Sequence, residues 1–323
     1  MKKIAEIITP DIKTVAVAGH VRPDGDCVGS CMGLYLYLKE NYPQLEVHVY
    51  MESIRDIFQF IKCSDEIISE CPQDFSPDLL ITCDASSSDR IGILTDVYSQ
   101  AKKTVCIDHH VSNLGFAMVN HVVPESSSAS EVIYELLEDE KISKNTAEAL
   151  YTGIVHDTGM FQFSCTSSRT MEIAGKLMDK DIPFSWIIDN TFNQKTYVQN
   201  QILGRTILES ILLMDGRVIV GGVHAREMDF YKVTPKDLDG IVNQMRITKG
   251  VEVAIFFYES GNHEFKVSMR SNGIVDVSKI AGYFNGGGHV KAAGCTMQGS
   301  VYDVINNLTP YIEEQLNEGK KLD

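Results

Sequence analysis

Thr104-Val105-Cys106-Ile107-Asp108-His109-His110 is the stretch from which the fold can be read. Its first four residues form the short apolar, β-branched run of a buried strand. Two adjacent histidines directly after such a run are costly in a core and uncommon on a surface. The same grammar appears twice more. Thr14-Val15-Ala16-Val17-Ala18 is followed by Gly19-His20 and then by Asp24 and Asp26. Leu79-Leu80-Ile81-Thr82-Cys83 is followed by Asp84. Val47-His48-Val49-Tyr50 adds a fourth strand. Helical patterns over residues 28–38, 130–138, 146–156 and 170–181 fall between and after these strands. Strands alternating with helices predict an α/β fold, a Rossmann-like parallel sheet covered on both faces.

The second half has another texture. A polar, helix-like connector rich in Asn and Gln runs over 189–209. Asp215-Gly216 then separates two apolar runs, a hairpin signal. Gly261-Asn262 separates a second antiparallel pair, 251–258 and 264–269. Helices are predicted over 234–244, 277–283 and 301–316. The expected division is an N-terminal catalytic domain over 1–189, a helical linker over 190–209 and a smaller α/β domain over 210–323.

The chain has 323 residues, 44 acids against 29 bases and a formal net charge of −15. Binding a long nucleic-acid duplex rests on neutralising phosphates with Lys and Arg, so this surface argues against that partner. A small anion needs only a local positive site. No apolar run reaches the roughly 18–20 residues of a membrane span. At the start, Glu6 and Pro10 interrupt the apolar stretch that a signal peptide would need. The expectation is a cytoplasmic protein. The eight cysteines include no Cys-x-x-Cys pair, so they read as reduced thiols rather than a zinc or redox motif.

In a parallel sheet, ligands bind beyond the carboxyl ends of the strands. That places the three Asp/His clusters on one edge. A fourth candidate is Asp157, an acid closing an apolar helix before Gly159, where it opposes the helix dipole. Taken singly, several of these have plainer readings. Pro23-Asp24-Gly25-Asp26 equally fits a turn that caps the next helix. Asp84 alone reads as a strand-end turn residue. Together they would crowd so many carboxylates that metal charge must neutralise them. The residue types suit Mn²⁺ or Mg²⁺, and the number suits two ions about 3.5–4 Å apart. One carboxylate must then bridge, and Asp84 on the central strand is the natural choice.

His20-x-x-x-Asp24-x-Asp26, Asp84, Asp108-His109-His110 and His156-Asp157-Thr158-Gly159 resemble, in order and approximate spacing, the four motifs of the DHH phosphoesterases. Met269-Arg270-Ser271 and Phe284-Asn285-Gly286-Gly287-Gly288-His289 resemble that family's C-terminal domain. The best match is to its standalone members that act as oligoribonuclease and pAp phosphatase. The resemblance implies two Mn²⁺ per site, with Mg²⁺ or Co²⁺ as substitutes. His20 and Asp24 would hold one ion; Asp26, His109 and Asp157 the other; Asp84 both. His110 would contact the scissile phosphate and Asp108 would orient its neighbours, while a water held between the ions attacks phosphorus. Arg270, Ser271, Gly286, Gly287, Gly288 and His289 would bind the rest of the substrate. Asn285 stands where the family usually has Gly, and Asn tolerates the positive φ such a loop needs. Tyr283 and Phe284 read as core.

The implied function is hydrolysis of short oligonucleotides to mononucleotides, of 3′-phosphoadenosine 5′-phosphate (pAp) to AMP, or both, by a homodimer. A phosphodiesterase of cyclic di-AMP or pApA uses the same motifs and stays open. An inorganic pyrophosphatase or polyphosphatase fits the Gly-rich tail less well. A catalytically silent nucleotide sensor would be expected to lack a ligand, and none is missing.

Overall fold

The computed structural model describes residues 3–71 and 74–319; Met1 and Lys2, the first residues of the leader-like start, lie outside them. The chain divides into two compact units, Met1–Gln194 and Lys195–Asp323.

The first unit is built on five strands: β1 (Thr14–Ala18), β2 (Glu46–Tyr50), β3 (Leu79–Cys83), β4 (Lys103–Asp108) and β5 (Val119–Val122). They lie in the order β2-β1-β3-β4-β5, and every pairing is parallel. The order reverses between β1 and β3, so the carboxyl ends of those two strands flank the switch point where such sheets bind ligands. β5 was not anticipated, because Val119-Asn120-His121-Val122 is a half-exposed edge strand without the apolar run of its neighbours.

Helices α1 (Gly25–Asn41), α2 (Ala129–Leu136), α3 (Lys144–Asp157), α4 (Ser168–Met178) and α5 (Phe184–Ile188) complete this unit. Asp24 caps α1, its Oδ1 accepting from the N–H groups of Asp26 and Cys27, both at 3.1 Å. Residues 25–38 of α1 are all buried. α1 and α3 cross at glycines: a Cβ at Gly29 would lie 2.6 Å from the Gly153 nitrogen. That close approach carries the start of α1 to the end of α3. Ser128 and Ser143 cap α2 and α3. Cys27, Cys31, Cys83 and Cys106 are buried thiols.

The second unit holds β6 (Ile211–Leu213), β7 (Val218–Val223), β8 (Val253–Gly261), β9 (Glu264–Ser271), β10 (Gly287–His289) and β11 (Ala292–Gln298), in the order β10-β11-β9-β8-β7-β6. β7 and β8 run parallel and the other neighbours antiparallel. Its helices are α6 (Tyr197–Glu209), α7 (Ala225–Tyr231), α8 (Ile241–Arg246), α9 (Val277–Tyr283) and α10 (Val301–Gly319). Both hairpins form where the Asp215-Gly216 and Gly261-Asn262 signals lie. Two readings need correction. The stretch taken as a linker contains α6, whose Ile202 is buried in the core of the second unit. The helix expected over 234–244 is broken: a 3₁₀ turn over Pro235–Leu238 ends at Gly240, whose φ of +89° admits no continuous helix, and α8 starts afresh.

Candidate metal centre

Backbone geometry presents each acid. β1 ends at Ala18, and His20 follows two residues on, 7% exposed. β3 ends at Cys83, and Asp84 turns into the left-handed region with φ +56°. Asp108 is the last residue of β4, Asp26 lies in the first turn of α1 and Asp157 closes α3.

These side chains converge. Asp84 Oδ2 lies 3.4 Å from His20 Nε2, and Asp84 Oδ1 lies 3.6 Å from His109 Nε2 and 3.5 Å from His110 Nδ1. His20 Nε2 is also 3.6 Å from Asp24. His109 Nε2 is 3.1 Å from Asp157 and 3.9 Å from Asp26. One carboxylate thus touches both histidine groups, with one oxygen toward each.

The histidines are held by their other nitrogens. His20 Nδ1 is 2.7 Å from the Val21 carbonyl and His109 Nδ1 is 3.3 Å from the Ser126 carbonyl. A carbonyl only accepts, so each Nδ1 carries the proton and donates, leaving Nε2 for the carboxylates. Asp108 binds His110 Nδ1 at 2.8 Å and accepts from Asn113 Nδ2 at 2.7 Å. Asp26, fully buried, accepts from the N–H groups of Ala129 at 2.6 Å and Ser130 at 3.0 Å, the first turn of α2.

The electrostatics are strained throughout. Burial, then the charges of Asp84 and Asp157, push Asp26 well above the usual carboxylate range. Burial raises Asp157 as well, with Asp84 adding to it against the pull of His109. Burial works against charge on His109, but Asp157 and Asp84 outweigh it and hold the imidazole up at about 12. His20 is raised in the same way: burial is opposed and overcome by Asp24 and Asp84. Partial desolvation works against charge on the half-open Asp24, but His20 brings its carboxyl down to about 2. Asp108 raises His110.

The donors fit a divalent cation. Asp84 Oδ1 is buried with no hydrogen-bond partner, an arrangement that normally carries a cost of about 1–3 kcal/mol or more. The sets Asp26/His109/Asp157, Asp84/His109/His110 and His20/Cys27/Asp84 each bring their ligand atoms within 4.8 Å of one another. Hard carboxylates mixed with imidazole suit Mn²⁺-type ions.

Cys27 was read only as a buried thiol, yet its Sγ accepts from the His20 N–H at 3.2 Å and lies beside this centre. Asn113 and the α2 N–H groups were also missed. Ser126-Ser127-Ser128 was the available signal for the latter, as a helix start placed shortly after Asp108-His109-His110. His156, set apart from the ligands, bonds Thr191 Oγ1 at 2.9 Å and packs against Phe58 and Phe192.

In the second unit, Ala292 pairs with Arg270 on one side and His289 on the other. Directly opposed residues share a face, so Arg270 and His289 stand in one row across the sheet. Asn285 has φ +56°, as the loop requires. Gly286 and Gly288 sit against β11: a Cβ at either would come within 2.4 Å of a β11 carbonyl. Gly287 has no such neighbour. Ser271 is buried and donates to Glu252 at 3.1 Å. Tyr283, read as core, is 64% exposed and stacks on Tyr311; Phe284 packs at the core margin.

Comparison with known proteins agrees with this architecture. Residues 14–154 match the DHH family, N-terminal domain, and residues 215–318 match the DHHA1 domain. The chain is 29% identical over 289 residues to the bifunctional oligoribonuclease and PAP phosphatase NrnA of Bacillus subtilis (strain 168), covering 88% of this chain and 89% of that one. It is 27% identical over 304 residues to the protein of the same name from Thermus thermophilus, covering 93% and 89%. The crystal structure of an exopolyphosphatase-related protein from Bacteroides fragilis superposes with a TM-score of 0.84 at 26% identity, covering 95% of this chain and 94% of that one. With an N-terminal DHH domain, a DHHA1 domain after it and relatives that span most of its length, this chain belongs to the DHH phosphoesterase family, phosphoric ester hydrolases that depend on metal ions.

Proposed function

We propose that this chain hydrolyses short oligoribonucleotides to mononucleotides and pAp to AMP with two Mn²⁺ ions. The observation that carries the reading is Asp84, a buried carboxylate with one oxygen toward His20 and the other, unpartnered, toward His109 and His110. His20, Asp24 and Asp84 would hold one ion, and Asp26, His109, Asp157 and Asp84 the other. The names of the curated relatives support the substrate class.

Divalent ions there would supply a water of lowered pKa and stabilise charge on the phosphoryl oxygens. The chain's own residues do the rest. Carbonyl contacts at Nδ1 fix the rings of His20 and His109, so no rotation has to be frozen at the reacting centre. Two backbone N–H groups hold both oxygens of Asp26 in place, and a divalent charge beside it would favour the ionised carboxylate that burial disfavours. His110, raised by Asp108, favours the imidazolium form. With Nδ1 committed to Asp108, its Nε2–H is free to donate to a phosphate oxygen and to stabilise the charge that develops there. Arg270, His289 and the backbone around Gly287 would take the non-reacting end, with the Ser271 hydroxyl serving the loop beside Arg270. The reading extends to a cytoplasmic protein that forms a homodimer; sedimentation of the purified chain tests the dimer, and fractionation of cells tests the compartment.

The deciding experiment is a panel of pAp, pApA, a short RNA and cyclic di-AMP, each with Mn²⁺, Mg²⁺ and Co²⁺, products identified by mass. Mn²⁺-dependent mononucleotide from the RNA and phosphate from pAp are expected. Turnover confined to cyclic di-AMP or pApA would replace this substrate assignment, and no phosphate-ester cleavage at all would end it.

A further inference from the structure

Cys27 brings a sulfur to the metal centre. It lies in the first turn of α1, directly after Asp26 and close behind the capping Asp24. Its side chain is buried, as are those of His20 and Asp84. The ligand atoms of these three residues all lie within 4.8 Å of one another. The sulfur has a built seat. It accepts from the His20 N–H at 3.2 Å, and a Cβ on Gly19 would come within 2.3 Å of it. Glycine at 19 is what lets backbone and sulfur approach so closely.

The two halves of the centre therefore differ in kind. Around His109 Nε2 stand the carboxylates of Asp157, Asp84 and Asp26, at 3.1, 3.6 and 3.9 Å. Among the described residues, neither ligand set on that side includes a thiol. Around His20 Nε2 stand Asp84 at 3.4 Å, Asp24 at 3.6 Å and the Cys27 sulfur. A tetrahedral ion with bonds of about 2.0–2.3 Å spreads its donors roughly 3.3–3.8 Å apart, and the two carboxylate separations fall in that range. Asp84 also keeps a buried oxygen without a hydrogen-bond partner, so its charge is left for a cation.

We propose that Cys27 is a fourth ligand in the His20 half, beside His20, Asp24 and Asp84, and that it biases this position toward thiophilic divalent ions of the Zn²⁺ and Co²⁺ kind. This rests on the two-ion reading above and refines it. Supplied with Mn²⁺ alone, both positions take Mn²⁺; with Zn²⁺ present the His20 half exchanges first and a mixed pair results. Thiolate and imidazole favour zinc, whereas carboxylate-rich sets suit Mn²⁺. On coordination the thiol gives its proton to the buffer and binds as thiolate. The sulfur lone pairs that the ion leaves free go on accepting from the His20 N–H, an outer contact of the kind that orients a ligand. Sites of nitrogen and oxygen donors already bind Zn²⁺ more tightly than Mn²⁺, so the proposal is read in how that ratio changes when the sulfur is removed.

The test uses the full chain, stripped of metal and titrated with Zn²⁺ and with Mn²⁺ against a chromophoric chelator. Cys27→Ser keeps an acceptor for the His20 N–H and loses the soft donor. Its affinity for the first Zn²⁺ should fall at least about 10–100-fold, the range for losing even an outer-shell partner. Its Mn²⁺ affinity should change by less than about threefold. Cobalt supplies a readout independent of affinity. The wild type should show a sulfur-to-cobalt charge-transfer band, Cys27→Ser should lack it, and Cys295→Ala, which removes a buried thiol of the second unit, should keep it. If Cys27→Ser does not fold, the wild type alone decides: X-ray absorption at the zinc edge, with one ion per chain, should show a sulfur neighbour at about 2.3 Å. A cobalt band that survives Cys27→Ser, equal losses for Zn²⁺ and Mn²⁺, or zinc surrounded by nitrogen and oxygen alone overturns the proposal. Should the wild type bind no divalent ion, the two-ion reading falls with it. Should Mn²⁺ bind while the Zn²⁺-to-Mn²⁺ affinity ratio of Cys27→Ser stays within about twofold of wild type, only the role of Cys27 falls.

Discussion

Asp26→Asn separates a cation-holding carboxylate from a helix cap. Both oxygens of Asp26 are in use, one on the Ala129 N–H and one on the Ser130 N–H. Asn offers a single side-chain oxygen, so one buried N–H loses its acceptor, at about 1–3 kcal/mol. Against this stands relief of like charge. Ligand oxygens of Asp26 and Asp157 lie within 4.8 Å, which at an effective dielectric of about 20 corresponds to about 3.5 kcal/mol or more for two full charges before solvent screening. Asp157 is 29% exposed, which lowers that figure. The two effects offset, and the metal-free variant should unfold within about 2 kcal/mol of wild type. The wild type at a Mn²⁺ concentration about 100 times Kd gains about 2.7 kcal/mol. For a unit of this size that is a rise of about 5–10 °C in Tm. The assay is thermal unfolding with EDTA and with Mn²⁺, beside turnover. The variant should lose the Mn²⁺ shift and at least about 100–1000-fold in kcat. A variant that keeps both, while its metal-free form loses about 1–3 kcal/mol, would show that Asp26 serves only as a cap for α2.

Further outcomes can be stated briefly. Asp84→Asn keeps a residue that tolerates the left-handed φ of +56°, so circular dichroism should be unchanged while turnover disappears; near-normal turnover would falsify its shared position between two ions. The pH dependence of the metal-free protein follows from His109, held at about 12 against an ordinary value of 6.5. Its raised value contributes full stability below pH 6.5, and that contribution falls as pH rises toward 12, so urea midpoints should drop between pH 7 and 9; a rising midpoint contradicts the assignment. His156 has the opposite sign: burial depresses it to about 4, so stability is lost as pH falls from 6.5 toward 4, by up to about 3 kcal/mol. The gap between His156→Gln and wild type in urea midpoint should therefore shift in favour of the variant from pH 7 to pH 4.5, and a constant gap refutes this. Gly153→Ala would put a Cβ 2.0 Å from Ser130 Oγ and 2.6 Å from Asp26 Oδ1; it should destabilise by about 1–3 kcal/mol and lower turnover, and wild-type values for both would be decisive against the crossing described here.

The parallel sheet could be read because its strands are short, apolar and punctuated by Asp and His. β1 and α9 occupy the ranges predicted for them. Polar punctuation also placed His20, Asp84 and the Asp108-His109-His110 triplet at the carboxyl edge, where the structure brings them together. What could not be read depends on contact across long sequence separations. The hold of Ala129 and Ser130 on Asp26 spans more than a hundred residues and uses backbone atoms, which leave no mark on residue type. Gly25, Gly29 and Gly33 lie four apart on α1; that spacing could have announced the crossing with α3. The end of α8 at Arg246 lies beyond the helix expected over 234–244, because Gly240 breaks that helix and a new one starts after it. β10 was invisible as a strand because Gly287-Gly288-His289 has neither alternation nor β-branching.

The two halves of the centre differ in how freely they can be re-engineered. Asp26 answers to α2 as well as to its neighbours, and Gly153 leaves no room behind it. Asp24 has 61% of its side chain in solvent, and the Cys27 sulfur lies beside His20. Efforts to retune ion preference, toward softer or harder metals, should therefore begin at His20, Asp24 and Cys27, where a substitution leaves the α2 start untouched.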